Sequence, residues 1–478
     1  MQERAGQQWA GQDWGGQQVC VTGLGVSGPP AARALAARGA QVTVLEATDD
    51  EVRRQRATEL AALGVRVLLG QDAAAGLPPG TRLVVTSPGW RPDAPLLAAA
   101  RDAGIPVIGD VELAWRLRPL LPDGTAQAWL GVTGTNGKTT TVRMLAAMLQ
   151  AAGLRAAAAG NVGTSAVEAV TEPVPYQVLA VELSSFQLHW SSSLRPLAAT
   201  VLNLAADHID WHGDMDSYAR AKGRIFAPGT IAVYNADDAW SARLAAAPGL
   251  ARLVAFRSGP PGPGELGVAG GALVDRAFGD GDVLAQVSEV QPAAPHNVAN
   301  ALAAAALARG YGVAPAAVAA GLHAFQPEPH RITLVARVGE VTYIDDSKAT
   351  NPHAAAASLA AYPSVVWVAG GMLRGAAADI DGLVAGAAAR LRAAVLLGRD
   401  RGIVAQALAR HAPDVPVVEL AGTDTGIMER VVSEAAAVAA PGDTVLLAPA
   451  AASLDMFASY GARGDAFAAA VRALAGAR

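Results

Sequence analysis

The sequence predicts three α/β domains in series, and three observations carry that prediction. Its 478 residues exceed one ordinary domain, and a composition 52% hydrophobic and 17% charged supplies a large core. Short apolar runs alternate with Ala-rich helical stretches along most of the chain, the pattern of parallel sheets covered by helices. Two Pro-containing stretches interrupt it, "LRPLLPDGTAQ" at 117–127 and "PEPHR" at 327–331. The boundaries expected are a loose extension over 1–18, a first domain over 19–121, a second over 127–326 and a third over 330–478.

The elements follow in order. "MQERAGQQWAGQDWGGQQ" is polar, rich in Gly and Gln, and lacks the apolar core of a signal peptide, so it reads as an extension. "VCVTGLGVSGPPAARALAARGAQVTVLE" is strand, glycine turn, helix and strand, and "RLVVTSPG" and "PVIG" continue the alternation. The second domain opens on the strand "AWLGVTG" and adds "YQVLAVELS", "AATVLNLAADH" and "GTIAVYNA". Gly and Pro over 257–292 predict irregular or short β elements, followed by the helices "HNVANALAAAALARGYG" and "APAAVAAGLHAF". In the third domain "LVARVGEVTYI" reads as a hairpin, and "SVVWVAGG", "AAVLLG", "VPVVEL" and "DTVLLAPA" as strands of βα units.

Composition narrows the function classes. A net charge of −5 offers no electrostatic surface for nucleic acid or membrane, and no segment has the apolar character of a membrane span. The single cysteine, Cys20, excludes an internal disulfide framework and fits a reducing cytosol, so a cytoplasmic protein is expected. The 37 basic residues include only three lysines, Lys138, Lys222 and Lys348. A surface cation can be either residue, so a retained lysine suggests work that a guanidinium cannot do.

The motifs carry the chemistry. "GLGVSG" places Gly23, Gly25 and Gly28 after a strand and before a helix, with Glu46 at the end of the next strand where it can meet a ribose. This fits a dinucleotide site or another phosphate-bearing ligand; a tight βα turn is the plain alternative. "GVTGTNGKTT" delivers Gly134, Thr135, Asn136 and Gly137 into Lys138, Thr139 and Thr140, with Val142, Leu145 and Leu149 on one face of a helix. Such a loop wraps phosphates with backbone N–H groups, adds a lysine charge and offers a Thr hydroxyl to Mg²⁺. Its spacing departs from the standard pattern, because Gly134 opens it rather than a glycine at 132.

Glu182 of "VELSSFQ" and His208 of "NLAADHIDWHGD" follow strands, where loops face the ligand crevice of a parallel sheet, and can converge on a metal. Lys222 lies on the helix "SYARAKGRIF"; a solvated helix lysine is its plain alternative. "YIDDSKATNPH" sets Asp346, Lys348 and Thr350 at a strand end suited to an anionic substrate, with Asn351 also read as a helix cap. Arg331 of "PHR" sits at the second linker. A nicotinamide oxidoreductase and a non-catalytic nucleotide switch remain open on these residues alone.

In their order these segments resemble the Mur ligases, ATP-dependent amide-bond-forming enzymes of peptidoglycan synthesis. "GTNGKTT", "AGNVGT", "VELSSFQL", "DHID", "HNVANALAA", "PHR" and "DDSKATNP" carry the resemblance from about Val19 to the end. "DSKATN", "GDVEL" and "APAAASLDMF" point to the D-glutamate-adding member. The resemblance implies a Rossmann-like UDP-binding domain, a central P-loop ATPase domain and a C-terminal Rossmann-like domain. It implies ATP, two Mg²⁺ ions and CO₂ held as a lysine carbamate on Lys222, with UDP-N-acetylmuramoyl-L-alanine and D-glutamate as partners, and a monomer. Gly25, Val26, Ser27, Gly89, Asn161 and His208 would meet the UDP substrate. Lys138 and Thr139 would meet ATP-Mg²⁺, Glu182 and His208 the metals, Asn297 and Asn300 the adenine, and Arg331 and Asp346 the rest of the nucleotide. Lys348, Thr350, Ser453 and Tyr460 would hold D-glutamate. Three departures stand out: Ala47 and Thr48 after Glu46, Arg374 where the family usually has lysine, and Tyr460 where phenylalanine is typical.

Overall fold

The computed structural model describes residues 13–74, 76–373, 377–422 and 426–476; Arg374 lies outside them. The chain forms two compact units. One comprises Met1–Leu204, Ile209–Val290 and Ala299–Phe325, the other Ala205–His208, Gln291–Val298 and Gln326–Arg478.

The first unit contains two sheets. Among the described residues the N-terminal one has five strands, β1 (Gln18–Thr22), β2 (Gln41–Glu46), β3 (Arg66–Leu69), β4 (Leu83–Thr86) and β5 (Val107–Gly109). Their order is β3-β2-β1-β4-β5 and every pairing is parallel. Winding reverses between β1 and β4, so their carboxyl ends open a crevice. All of β4 is buried, which is why "LVVT" lacks apolar–polar alternation.

The second sheet has nine strands among the described residues: β6 (Ala128–Thr133), β7 (Ala156–Gly160), β8 (Val178–Glu182), β9 (Ala198–Val201), β10 (Ile231–Asn235), β11 (Arg252–Phe256), β12 (Glu265–Ala269), β13 (Ala272–Asp275) and β14 (Asp282–Gln286). The order is β14-β13-β12-β11-β10-β9-β6-β8-β7. Strands β12 to β14 pair antiparallel and form the short β elements expected over 257–292. Strand β6 lies between β9 and β8, and the helix Lys138–Ala151 that follows it buries Val142, Leu145 and Leu149 completely.

A continuous core joins the two sheets. It runs from Leu24 through Val111 and Trp115 to Trp129 and Tyr218. Trp115 meets Trp129 edge-on at 5.3 Å between ring centroids. The helix Asp110–Leu117 turns charged groups into this junction. Glu112 is fully buried and accepts the N–H groups of Ser192 and Ser193 at 3.0 Å each, the Ser193 hydroxyl at 2.6 Å and Arg116 Nε at 3.0 Å. Trp14 is packed in the same core and Gly16 N–H bonds Gly39 O, so residues 13–18 of the expected loose extension are held in place.

The second unit has six strands among the described residues, β15 (Thr333–Val338), β16 (Val341–Asp345), β17 (Val365–Gly370), β18 (Leu391–Leu397), β19 (Val417–Glu419) and β20 (Thr444–Leu447). Their order is β15-β16-β20-β17-β18-β19. The expected hairpin is the antiparallel β15–β16 pair, and the other pairings are parallel. Apolar clusters cover this sheet, one around Ile344, Trp367 and Leu396, another around Tyr343, Val368 and Leu397. Among the described residues no helix is long and apolar enough to cross a membrane.

Burial pushes the Glu112 carboxyl up, but its bonds from Ser193, Ser192 and Arg116 outweigh this and hold it below the usual value. A depressed carboxylate stabilises the fold above its unfolded pKa, about 4.3, and loses that contribution as pH falls through the folded value. Glu112→Ala should therefore lower the stability of the first unit by about 3 kcal/mol, since it strands buried donors. The gap between wild type and Glu112→Gln in urea unfolding should be widest near neutral pH and close on acidification.

Candidate active site

The phosphate loop is built at the carboxyl end of β6. Gly137 precedes the helix with φ +84°, a left-handed conformation, and a Cβ there would stand 2.3 Å from Asn300 Oδ1. Asn203, just past β9, braces the loop from the side. Its Oδ1 accepts Asn136 N–H at 2.9 Å and its Nδ2 donates to Asn136 O at 3.2 Å. Lys138 Nζ donates to the Gly134 and Thr135 carbonyls at 2.9 Å each. Thr139 Oγ1 donates to Glu182 Oε2 at 2.8 Å, and Asn161 Nδ2 to Glu182 Oε1 at 3.1 Å. Glu182, at the end of β8, is 2% exposed. A hydroxyl and a carboxylate in contact beside a phosphate loop fit Mg²⁺, which prefers one or two carboxylates together with substrate phosphates.

Lys222 joins this group from the helix Met215–Gly223. It is 2% exposed, which sets aside the solvated-lysine alternative. Its Nζ donates to Gly134 O at 2.8 Å and to Thr133 Oγ1 at 3.2 Å, and lies 4.9 Å from the Tyr218 ring centroid. Tyr218 in turn shares a hydrogen bond with Thr135 Oγ1 at 3.1 Å. Two lysine nitrogens thus approach the one Gly134 carbonyl.

The turns after β1 and β4 come together at the reversal of the first sheet. Ser87 Oγ donates to Thr22 O at 2.6 Å. Gly25 and Gly89 have open space where a Cβ would stand, and Val26 is 81% exposed. Ser27 Oγ donates to Asp110 Oδ2 at 2.9 Å. Glu46 accepts Leu24 N–H at 2.8 Å and Thr48 N–H at 2.9 Å, so its carboxylate supports the turn's own backbone.

In the second unit His208 has φ +55° and its Nε2 lies 3.7 Å from Asp207 Oδ2. Asn297 Nδ2 donates to Pro292 O at 3.2 Å. Arg331 stands between two residues of left-handed backbone, His330 at φ +63° and Ile332 at φ +48°, and donates to Glu328 at 3.0 Å. His330 Nδ1 bonds Asp345 Oδ2 at 2.6 Å. Asp346 is buried and accepts the Ser358 hydroxyl; burial pushes its carboxyl up to about 7. Lys348 Nζ sits 3.9 Å from the Tyr460 ring centroid, so these two expected ligands meet. Arg463, 1% exposed, donates to Ser347 Oγ and O at 2.9 Å each and to Ala451 O at 3.1 Å. It ties the Lys348 loop to the β20 loop that carries Ser453. Thr350 N–H bonds Lys348 O within that loop.

Sequence reasoning missed Asn203, Tyr218, Asp110 and Arg463. The available signal was a polar side chain just past an apolar strand, as in "VLNLAAD", or inside an apolar helix, but neither pattern names the partner.

Three family models match the chain: the Mur ligase MurD-like N-terminal domain over residues 17–109, the Mur ligase middle domain over 132–308 and the Mur ligase glutamate ligase domain over 330–451. The chain is 61% identical to UDP-N-acetylmuramoylalanine–D-glutamate ligase of Thermobifida fusca over 468 residues, covering 96% of this chain and 99% of that one. It is 59% identical to the ligase of that name from Streptomyces coelicolor, covering 95% and 98%. Among solved structures, UDP-N-acetylmuramate-alanine ligase MurC of Thermotoga maritima aligns with TM-score 0.57 at 18% identity, over 96% of this chain and 99% of that one. A pseudomurein peptide ligase type C of Methanothermus fervidus aligns with TM-score 0.58 at 17% identity, over 96% and 100%. Both show a shared fold.

Gly137→Ala would force a Cβ against Asn300 in a left-handed backbone, a strain of about 1–2 kcal/mol before the contact is counted. Nucleoside triphosphate affinity, measured by calorimetry, should fall at least tenfold. Unchanged affinity would remove this loop from the phosphate site.

Proposed function

The chain belongs to the Mur ligase family, and on that premise we propose that it ligates D-glutamate to UDP-N-acetylmuramoyl-L-alanine with consumption of ATP, in cytoplasmic assembly of peptidoglycan precursors. The observation that carries the reading is the cluster of Lys138, Thr139, Glu182 and Lys222 around the β6 loop. The relatives named above supply the choice of amino acid.

The γ-phosphoryl group of ATP passes to the alanyl carboxylate, giving an acyl phosphate. The D-glutamate amine attacks the acyl carbon, the amide forms and phosphate leaves. Lys138 swings from the loop carbonyls to the transferring phosphoryl group, where a compact cation offsets developing charge. Thr139 and Glu182 would hold Mg²⁺ and His208 would serve a second ion, and a bound ion would neutralise phosphate charge. Asn161 orients Glu182 and meets the UDP substrate with Gly25, Val26, Ser27, Gly89 and His208. Asn297 and Asn300 serve adenine; Arg331 and Asp346 serve the rest of the nucleotide. Lys348, braced by Tyr460, pairs with a D-glutamate carboxylate beside Thr350 and Ser453. Positioning the amine at the acyl carbon supplies much of the acceleration.

Lys222 in this reading carries CO₂ as a carbamate. A neutral lysine amine can attack CO₂, whereas a guanidinium stays protonated. The carbamate N–H can still donate to Gly134 O.

ADP release should require UDP-N-acetylmuramoyl-L-alanine and D-glutamate together, with L-glutamate a poor substitute. Faster release with L-alanine, meso-diaminopimelate or L-lysine would overturn the assignment. NADH turnover without ATP use would instead favour an oxidoreductase.

Lys222→Arg keeps the charge of an unmodified lysine but cannot carry CO₂ and should lose most activity, while Lys222→Ala should regain part of it with added formate or acetate. Wild-type protein equilibrated with ¹³CO₂ should show a carbamate carbon resonance missing from Lys222→Arg. An identical spectrum in the two proteins, or a fully active arginine variant, would remove the carbamate.

A further inference from the structure

The buried helix start at Asp110 has no part in the chemistry above, yet it lies between two loops that do. Asp110 is 3% exposed, and its Oδ2 accepts Ser27 Oγ at 2.9 Å from the turn after β1. The same oxygen accepts Gln187 Nε2 at 3.4 Å from the helix Ser185–His189. Gln187 and Ser184 form a reciprocal cap: Gln187 N–H donates to Ser184 Oγ at 3.1 Å and Ser184 N–H to Gln187 Oε1 at 3.0 Å. Ser184 stands two residues beyond Glu182 in "VELSS". A hydrogen-bonded path therefore runs from the exposed turn of the first sheet to the strand end that carries Glu182.

The backbone around Asp110 leaves this path little slack. Gly109 N–H bonds Trp190 O at 3.1 Å, and a Cβ on Gly109 would stand 2.9 Å from Trp190 Cβ. Asp110 Oδ1 is buried with no hydrogen-bond partner, so the bonds to Ser27 and Gln187 both fall on Oδ2. Nearby Glu112 already secures the packing of the same helix on Ser192 and Ser193. What Asp110 adds is the pair of bonds to Ser27 and Gln187.

We propose that Asp110 is a positioning residue, which fixes the Ser27 turn and so sets where the nucleotide-sugar substrate lies relative to Glu182. The inference rests on the ligase reading for the identity of that substrate. It assigns Asp110 no contact with any reacting atom. Its effect is to restrict the turn before the substrate arrives, so that binding does not have to order it.

The test compares Asp110→Asn, which retains an acceptor oxygen, with Asp110→Ala, and adds Gln187→Met and the pair Ser27→Ala with Asp110→Ala. Steady-state kinetics read KM separately for UDP-N-acetylmuramoyl-L-alanine, ATP and D-glutamate, and calorimetry reads binding of UDP alone. Asp110→Ala should raise KM for the nucleotide-sugar and weaken UDP binding tenfold or more, with KM for D-glutamate within twofold of wild type. Asp110→Asn should stay within threefold on every constant. Adding Ser27→Ala to Asp110→Ala should cost less than Ser27→Ala costs the wild type, because the bond they share is already broken and only the substrate contact of Ser27 is left to lose. If Asp110→Ala does not fold, Gln187→Met should shift the same KM threefold or more, with KM for D-glutamate within twofold. Three KM values rising together, an asparagine variant as impaired as alanine, additive losses or unchanged UDP affinity would each overturn the proposal. Wild-type protein lacking D-glutamate-dependent turnover would count against the ligase reading, whereas the UDP arm still decides the role of Asp110.

Discussion

The central constraint in the first unit is the carbonyl of Gly134. It accepts from Lys138 at 2.9 Å and from Lys222 at 2.8 Å. Gly134 follows the last residue of β6, so strand, loop and two cations share one origin. The loop geometry needs glycine at 137, the lysines need the carbonyl, and Glu182 needs the Thr139 hydroxyl that the following helix presents. Shifting β6 by one residue would reverse which side chains face each side of the sheet and dissolve all of these contacts.

Winding order explains why the exposed turns are where they are. In the first sheet the chain reverses at β1 and β4; in the second, β6 is flanked by β8 and β9. Loops at carboxyl ends there cannot be covered by the next crossover helix, and polar side chains gather in them. Asn203, Glu182 and the phosphate loop come from three adjacent strands for this reason. Sheet three repeats the device with Lys348 after β16 and Ser453 after β20, pinned by Arg463.

Much of this was legible in the sequence. Strands such as "VLAVE" and "VVWVAG" are apolar on both faces because both are covered, and the glycine or acidic residue ending each run marks the loop. Partnership was less legible. Lys222 bonds a carbonyl 88 positions earlier, and nothing in a helical period announces that. Glu46 occupies the position of a ribose acceptor, yet its oxygens serve Leu24 and Thr48, since a short turn with unsatisfied N–H groups competes for the nearest carboxylate. Trp14 was invisible because scattered aromatics in a polar stretch have no periodicity, and only tertiary packing buries it. "GDVEL" was read as a family marker; the burial of both its carboxylates belongs to the junction between sheets.

The scarcity of lysine has a consequence for chemical labelling. Reagents that acylate amines usually decorate a protein's whole surface. Here the only side-chain amines are Lys138, half-buried against its loop, Lys222, almost without solvent contact, and Lys348, under the Tyr460 ring. The surface cations are arginines, which such reagents leave alone. Acylation of the folded chain is thereby channelled to the α-amino group and to three positions in or against the loops at strand ends. An amine-directed tag would not spread over this protein's surface; it would mark a few defined positions, each held by its own hydrogen bonds or ring contact.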